Sequence, residues 1–360
     1  MRVALTLEQC WHSVPGGTAT SALATARALS DLGADVVGVA ARHGSGPRPP
    51  YTPTVPVAHL PLPRLALYES WQRLRWPAVQ RATGPVDVVH GTTLAVPPKS
   101  APLVLTVHDL AFLADPSHFT ARGLGFFRRG LDLARRDADL VLVPSQAVHA
   151  ECVAAGFDAG RLRVVPHGVD SRPATPADVA RVRATYDLPG RYVLWTGTRE
   201  PRKNLRGLLA AFERVAADVD LVIVGPDGWG EDLGALLSAT PRVTLTGFVP
   251  DADRDALYAG ADVFAFPSLR EGFGLPALEA MAQGTPVVTT AGSAMAEFAV
   301  GTLVDPVDDR ALAAALDELL ADDQRREQLS EAARARAATM TWQDAARATL
   351  AAYDEVRSAG

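Results

Sequence analysis

The sequence predicts an α/β protein of two domains, each built on a parallel sheet covered by helices on both faces. Short segments that are apolar on both faces alternate with helical patterns along the chain, which is typical of such sheets. This alternation stops near residue 168 and restarts near residue 188. The length of 360 residues agrees with two domains, because single cores rarely grow beyond about 250–300 residues.

The first half of the chain is predicted to form one domain over residues 1–170. Helical patterns such as TATSALATARALSDLG, in which leucines recur among alanines, separate its strands. A polar, proline-containing connection then leads to the second half of the chain. The six segments expected to be buried strands of the first domain are 2–7, 35–40, 86–90, 102–108, 139–144 and 161–166.

The second domain is predicted over residues 171–340, and a closing amphipathic helix over residues 341–360. Ligands of open α/β sheets bind outside the carboxyl ends of the strands. If the two domains face each other, the expected ligand site is the cleft between them. The five strand segments predicted in the second domain are 191–197, 220–225, 242–247, 261–268 and 285–290.

The composition narrows the class of protein. Hydrophobic residues make up 48% of the chain and charged residues 21%, as in globular proteins. The formal net charge of -6 argues against a general nucleic-acid binder. Two cysteines fit neither a disulfide framework nor a zinc site, so a reducing cytoplasm is expected. No signal peptide is expected, and no apolar stretch reaches the roughly 18 residues that cross a bilayer.

Two glutamates, Glu271 and Glu279, flank a glycine turn in the segment SLREGFGLPALEAMAQG. Gly272 and Gly274 disfavour a helix, whereas Pro276 suits a first helical position, so Glu279 is expected in the first helical turn. The two carboxylates are too far apart for an acid/base pair, but they can hold opposite ends of an elongated ligand. Free N–H groups between them favour an anion such as phosphate. The alternative is a plain strand–turn–helix junction with a capping glutamate.

Three cations follow a predicted strand in the segment WTGTREPRKNL, namely Arg199, Arg202 and Lys203. Asn204 is a good N-cap for the helix that comes next. A diphosphate leaving group needs such neutralisation of its charge. The alternative is a solvated basic loop, in which Glu200 pairs with one of the cations.

Two weaker signals lie in the first domain. Gly16 and Gly17 are expected between the first strand and the first helix, where the backbone can approach a ligand closely. His108 ends an apolar strand beside Asp109, a position from which a side chain enters a ligand site, although a lone histidine is more often structural. His167 is expected at a turn or hinge. The patterns of nucleophile elbows, HExxH zinc enzymes and Walker A loops are absent from the sequence.

Taken in order, these segments resemble the retaining glycosyltransferases of family 4, which have the GT-B fold of two facing Rossmann-like domains. The resemblance extends from PGGTATSALATARAL through VHD, VPHGVD and GTREPRKN to GFVPDADRDALYAGADVFAFPSLREGFGLPALEAMAQGTPVV. It implies transfer of a hexose from a nucleotide sugar to a hydroxyl acceptor, and a last helix that returns to the first domain. The segments GTREPRKN and VHDLAFL are most similar to the corresponding motifs of bacterial mannosyltransferases that use GDP-mannose.

The resemblance also implies roles for residues of the donor site. Glu279 would bind the ribose hydroxyls. Glu271 would bind the sugar hydroxyls and is counted with the catalytic residues. Val249 would meet the base. The backbone amides near the sugar and phosphates would be those of Phe273, Gly274 and Leu275.

The catalytic roles follow from the same resemblance. Lys203 and Arg202 would neutralise the diphosphate, and His108 would lie near the reacting carbon. Gly16 and Gly17 would approach the phosphates. The leaving phosphate would take the proton of the acceptor hydroxyl on the same face, with retention of configuration and without a cofactor or a required metal.

One departure from the family concerns the phosphate contact of Arg199. Many members carry arginine directly after the glycine of this strand, where this chain has Thr198, so the arginine stands one position later. The alternatives that stay open are a nucleotide-sugar epimerase, a phosphorylase and a non-catalytic nucleotide-sugar-binding protein. The basic, aromatic segments 64–81 and 118–136 are interpreted as packed helices or as a peripheral contact with the cytoplasmic face of a membrane.

Overall fold

A computed structural model of the chain describes residues 1–170, 172–228, 234–240 and 242–358. The chain divides into two compact units, each with its own core. Unit 1 comprises Met1–Gly168 and the chain from Trp342 onward, and unit 2 comprises Val169–Thr341.

Unit 1 contains seven parallel strands, which are β1 (Arg2–Thr6), β2 (Asp35–Ala40), β3 (Val57–His59), β4 (Val88–Gly91), β5 (Leu103–Thr106), β6 (Leu140–Val143) and β7 (Leu162–Val164). They form one sheet in the order β3-β2-β1-β4-β5-β6-β7. All its neighbours pair in parallel, and the central strands are buried along their length, which explains their unbroken apolar sequences.

Six helices connect or cover these strands, namely α1 (Gly16–Asp31), α2 (Arg64–Arg73), α3 (Gln80–Thr83), α4 (Ala111–Ala114), α5 (Ala121–Asp137) and α6 (Gln146–Ala154). Thr120 caps α5 and Ser145 caps α6, in each case by accepting a hydrogen bond from a backbone N–H of the first turn. The strand order reverses between β1 and β4, which is the position at which open α/β sheets bind ligands at their carboxyl edge.

Unit 2 contains six parallel strands in a second sheet, which are β8 (Tyr192–Thr196), β9 (Asp220–Val224), β10 (Val243–Gly247), β11 (Val263–Phe266), β12 (Val287–Thr290) and β13 (Gly301–Val304). Their order is β10-β9-β8-β11-β12-β13. The described helices of this unit are α7 (Pro176–Thr185), α8 (Leu205–Phe212), α9 (Gly234–Ala239), α10 (Asp251–Ala259), α11 (Leu275–Gln283), α12 (Asp309–Ala321) and α13 (Asp323–Ala337).

The closing helix α14 (Trp342–Ser358) belongs to unit 1, where it packs against α1. Its Tyr353 is fully buried, and the hydroxyl lies 2.6 Å from Nδ1 of His90 on β4. Glu355 forms an ion pair with Arg163 of β7. These bonds tie the end of the chain to the sheet of the first unit.

The two parallel sheets confirm the predicted α/β class, and all eleven predicted strand segments contain a strand. The sequence analysis missed β3 and β13, which are edge strands of three and four residues. Their residues are mostly half-buried or exposed, so neither has the apolar run that marks a central strand. None of the described helices is both long enough and apolar enough to cross a lipid bilayer.

Candidate active site

The cations predicted from WTGTREPRKNL lie directly after β8, the central strand of unit 2. Pro201–Lys203 form one 3-10 turn, and α8 begins at Leu205. Asn204 caps α8 as expected, with a left-handed backbone (φ 54°) that reverses the chain between turn and helix. The side chain of Lys203 points inward, because the residue is only 9% exposed.

The carboxylate of Glu271 joins this turn from a second loop, the one that follows β11. Its Oε1 lies 2.5 Å from Nζ of Lys203, and its Oε2 lies 2.9 Å from Nη1 of Arg202. Backbone bonds fasten the loops together, since Leu269 N–H donates to Arg202 O at 2.9 Å and Arg202 Nη1 to Arg270 O at 2.8 Å. Sixty-eight residues of chain separate the partners of the Lys203–Glu271 bond.

Burial sets the electrostatics of this three-residue ionic cluster of Arg202, Lys203 and Glu271. Burial alone raises the pKa of Glu271, but the charges of Arg202 and Lys203 outweigh it and lower that pKa to about 2. Burial lowers the pKa of Lys203, and the carboxylate of Glu271 opposes that shift. Arg202 is also paired with Glu200 at 2.7 Å, as one alternative had foreseen. Two cations therefore share a largely dry site, where their charge is little screened.

Acid should weaken the fold through Glu271. Its pKa of about 2 lies below its ordinary value of 4.5, so its stabilisation is complete above pH 4.5 and is lost as the pH falls toward 2. The expected loss between pH 6 and pH 3 is about 2 kcal/mol. Urea unfolding over that range measures it. Glu271→Gln should flatten this pH dependence, whereas Glu331→Gln, an exposed control on α13, should not; equal profiles for wild type and Glu271→Gln would contradict the assignment.

Asn204 holds the ionic cluster in place from the adjoining position. Its Nδ2 donates to Pro306 O at 2.7 Å and to Pro267 O at 3.1 Å, and its Oδ1 accepts from Gly207 N at 3.3 Å. One side chain therefore caps α8 and anchors the loop that carries Glu271.

Substitution of Asn204 should separate its tolerance of the left-handed backbone from its side-chain hydrogen bonds. Asn204→Ala loses both the tolerance and the hydrogen bonds, and it is expected to lower the free energy of unfolding by about 2–4 kcal/mol. Asn204→Gly loses only the hydrogen bonds, because glycine adopts a φ of 54° without strain. It should therefore be about 1 kcal/mol more stable than Asn204→Ala. Urea titration of both variants tests this. Identical midpoints would show that the left-handed conformation does not select asparagine.

The glycine turn after β11 leads into α11 as predicted, but the helix begins one residue earlier. Leu275 is its first residue and Pro276 its second, so Glu279 lies in the second turn and not in the first. Gly274 caps the helix with φ 100°, and a Cβ there would lie 2.4 Å from Cγ of Met295, so this position requires glycine. No side chain caps this end of the helix.

The neighbours of the glycine turn differ in accessibility. Phe273 is 6% exposed, and its ring stacks on Phe298 with centroids 4.8 Å apart. Only its backbone is therefore positioned for a ligand, which is the role the family resemblance implies. Leu275 is half-buried.

Glu279 has two partners on α10 that the sequence analysis did not foresee. Tyr258 donates its hydroxyl to Oε2 at 3.1 Å, and Nη2 of Arg254 lies 3.4 Å from Oε1. The charge of Glu279 raises the pKa of Arg254 above its ordinary value. The four-residue spacing of Arg254 and Tyr258, which places both on one helix face, was the available signal.

Two predicted donor contacts have side chains that are already engaged. Val249 is 4% exposed and packs in the core of unit 2, so only its backbone is left to meet a base, while the adjacent Phe248 is 58% exposed. Arg199 forms an ion pair with Asp227, and its side chain is 20% exposed. A diphosphate would have to compete with that carboxylate for Arg199.

The glycine pair of unit 1 starts α1 and does not precede it, which corrects the predicted loop. Gly16 is the first helical residue with φ 61°, and Gly17 is exposed. A glycine at this φ lets the chain enter the helix directly after Pro15.

His108 lies at the carboxyl end of β5, as expected. Its Nε2 donates to Thr92 O at 3.0 Å, which leaves Nδ1 without a proton in the neutral ring. Burial lowers the pKa of His108, so the imidazole is neutral at pH 7. The ring lies 5.5 Å from that of His167, which in turn lies 5.4 Å from Trp342 of α14. The same residues border a small cavity within unit 1.

Within unit 2 the structure thus joins Arg202, Lys203 and Glu271 directly and holds Glu279 from a neighbouring helix. Within unit 1 it places His108 after β5 and the glycine pair after β1, both at the carboxyl edge of the sheet. Buried cations, a helix end without a side-chain cap and fixed carboxylates are the groups that bind a diphosphate between two polyols.

Solved structures with the same fold cover the whole chain. HepE of Anabaena in complex with UDP and glucose is 22% identical with a TM-score of 0.78, over 99% of this chain and 100% of that one. Sucrose-phosphate synthase of Thermosynechococcus elongatus is 23% identical with a TM-score of 0.81, over 100% of both chains. The fold is therefore of the GT-B type.

Comparison of sequences gives the family. Residues 15–172 match Glycosyltransferase Family 4, and residues 181–336 match Glycosyl transferases group 1. O-antigen chain mannosyltransferase B of Escherichia coli is 32% identical over 74% of each chain. A D-inositol 3-phosphate glycosyltransferase of Xylanimonas cellulosilytica is 32% identical over 96% of this chain and 93% of its own. The chain belongs to glycosyltransferase family 4 and is a hexosyltransferase that uses a nucleotide sugar.

Proposed function

We propose that this glycosyltransferase takes mannose from GDP-mannose and moves it to a hydroxyl of a glycan, a lipid-linked sugar or a small molecule. Two relatives support mannose: the Escherichia coli protein already described and the MMP alpha-(1->4)-mannosyltransferase of Mycolicibacterium hassiacum, each 32% identical to this chain. HepE, whose crystal structure is a complex with UDP and glucose, shares the fold at lower identity. The observation that carries the proposal is the ionic cluster of Arg202, Lys203 and Glu271.

Arg202 and Lys203 are proposed to bind the donor diphosphate. In the chain by itself Glu271 acts as their counter-ion, since its carboxylate contacts both. A diphosphate that takes over these cations frees the carboxylate to accept hydrogen bonds from sugar hydroxyls. Burial of Lys203 strengthens its attraction for negative charge that develops on the leaving oxygen.

The reaction then needs one bond to break and one to form on the same face of the sugar. The bond between the anomeric carbon and the β-phosphate oxygen breaks, and the leaving electrons stay on that oxygen. The same oxygen takes the proton of the acceptor hydroxyl, whose oxygen bonds to the anomeric carbon with retention. Neutral His108 is proposed to lie near the reacting carbon, and Glu279 to bind the ribose diol.

The cations of Arg202 and Lys203 are proposed to do the work that a metal ion does in other transferases. Transfer is therefore expected to proceed at an unchanged rate in EDTA. A rate that falls in EDTA and returns with Mg²⁺ or Mn²⁺ would contradict a metal-independent mechanism.

The nucleotide is tested first by thermal unfolding with GDP, UDP and ADP. GDP at about 100 times its Kd should stabilise the fold by about 2.7 kcal/mol. Labelled GDP-mannose, GDP-glucose and UDP-glucose are then compared as donors for a set of hydroxyl acceptors. Stronger stabilisation by UDP than by GDP, or faster transfer of glucose, would overturn the assignment of GDP-mannose.

A peripheral membrane contact is proposed for the surface around α2. Helices α2 and α5 pack together, with Gln72 Nε2 donating to Phe126 O at 2.9 Å, as the packing interpretation expects. Leu65, Leu74 and Trp76 are nevertheless 56%, 73% and 45% exposed beside arginines. Co-sedimentation with anionic vesicles should exceed that with neutral vesicles, and equal or no binding would leave packing as the only role.

A further inference from the structure

A cluster of aromatic and histidine side chains lies at the carboxyl edge of the unit 1 sheet, apart from His108. Its members come from the segments that follow β1 and β2, from the last residue of β3 and from the first two turns of α2. This is the edge at which open α/β sheets bind ligands. We call it the Trp11 cluster, and it consists of Glu8, Trp11, His12, His43, His59, Arg64 and Tyr68.

A buried carboxylate fixes the aromatic part of the Trp11 cluster. Glu8 is 2% exposed, and its Oε2 accepts from Ala41 N at 2.7 Å. Nε2 of His43 lies 3.0 Å from both carboxylate oxygens of Glu8. The imidazole of His43 stacks on Trp11, with centroids 4.8 Å apart and planes 8° apart.

Further bonds hold the indole of Trp11 in place. Its Nε1 donates to Ser45 O at 2.9 Å, and the ring of His59 packs against it in a T-shaped arrangement with centroids 5.7 Å apart. Trp11 remains half-buried, so part of the indole faces solvent. A rigid, partly exposed aromatic surface binds the C–H faces of a sugar ring, because its π-face is negative and it loses little entropy.

The other half of the Trp11 cluster is positively charged. Arg64 is half-buried, and it has neither an ion pair nor a hydrogen-bond partner among the residues that the structure describes. Nε2 of His12 lies 3.3 Å from the hydroxyl of Tyr68. Burial and then the charge of Arg64 lower the pKa of His12 to about 4, so the arginine acts on the interior of the cluster. An anion beside Arg64 would offset the cost of this unpaired charge.

We propose that the Trp11 cluster is an acceptor subsite for a sugar ring that carries an anionic group, a phosphate or a carboxylate. The ring stacks on Trp11, and the anion pairs with Arg64. This rests on the proposed function, because it assigns the acceptor of the same transfer reaction. It narrows the acceptors from any hydroxyl compound to anionic saccharides.

Calorimetry with defined probes tests the assignment. Glucose 6-phosphate and glucuronate should bind the full-length protein. Glucose should bind at least about tenfold more weakly, because it cannot form the charge-assisted hydrogen bond with Arg64. Arg64→Gln should weaken glucose 6-phosphate about 10- to 100-fold, and Arg64→Lys should restore part of it. Trp11→Leu should weaken all three sugars. Arg27→Gln is the matched control, since Arg27 is exposed on α1 and pairs only weakly with Asp31 at 3.8 Å.

The outcomes separate this inference from the proposed function. If GDP binds but glucose 6-phosphate does not, or binds equally to wild type and Arg64→Gln, the anionic subsite is wrong and the donor assignment stands. If neither GDP nor another nucleoside diphosphate binds, the proposed function is wrong, and with it the acceptor role of the subsite. Unchanged GDP affinity and melting temperature in Arg64→Gln show that the variant is folded. Inorganic phosphate that binds as tightly as glucose 6-phosphate would overturn the sugar part of the subsite.

Discussion

Lys203→Met should lower kcat by about 100- to 1000-fold, the usual loss when one donor to a developing oxyanion is removed. The reason is the position of Nζ, buried and 2.5 Å from the carboxylate that stands where negative charge is expected. Methionine keeps the length of the side chain and removes the charge. Rapid-quench measurement of a single turnover with saturating GDP-mannose reads the chemical step directly.

Lys99, the only other lysine of the chain, provides the control for Lys203. Lys99 is exposed and pairs with Asp139 at 2.6 Å, so Lys99→Met should leave turnover unchanged. The fold of Lys203→Met should survive, since Arg202 still pairs with Glu271 at 2.9 Å. A variant that melts earlier but turns over at the wild-type rate would remove Lys203 from the mechanism.

Glu279→Ala should weaken GDP binding by about 10- to 100-fold, as expected for the loss of charge-assisted hydrogen bonds to a ribose diol. Turnover at saturating donor should change less, because the ribose lies away from the reacting bond. Calorimetry with GDP gives Kd, and a donor titration separates KM from kcat. GDP affinity equal to that of wild type would refute the assignment.

Two further variants serve as controls for Glu279→Ala. Glu331→Ala removes an exposed carboxylate of the same unit and should bind GDP normally. Tyr258→Phe removes the hydroxyl that lies 3.1 Å from Oε2 of Glu279 and leaves the charge in place. A smaller loss of affinity than in Glu279→Ala is expected there, because the variant loses only the hydrogen bond that orients the carboxylate.

Sequence reasoning found the residue types of the candidate site but not their partners. The neighbours Arg202 and Lys203 were recognised as cations at a strand end, yet nothing local shows that Glu271 neutralises both. The same holds for Glu279, whose partners Arg254 and Tyr258 lie on another helix. Such contacts depend on the order of strands in the sheet, which a single sequence does not contain.

Local rules were reliable where the deciding interaction is local. The cap at Asn204 and the buried strands follow from residue type and spacing. They failed at boundaries, where Gly16 and Leu275 already belong to helices that were expected to begin later.

The strand and helix alternation, the glycine turns and the ordered motifs that mark the family can be read from the chain alone, since they depend on side-chain volume, backbone freedom and short-range spacing. The ionic cluster of Arg202, Lys203 and Glu271 exists only in the folded protein, and so does the position of Arg64 near His12, where it has no ion pair or hydrogen bond among the described residues. Charge pairing acts through space, so its partners are set by which strand ends the folded sheet brings together.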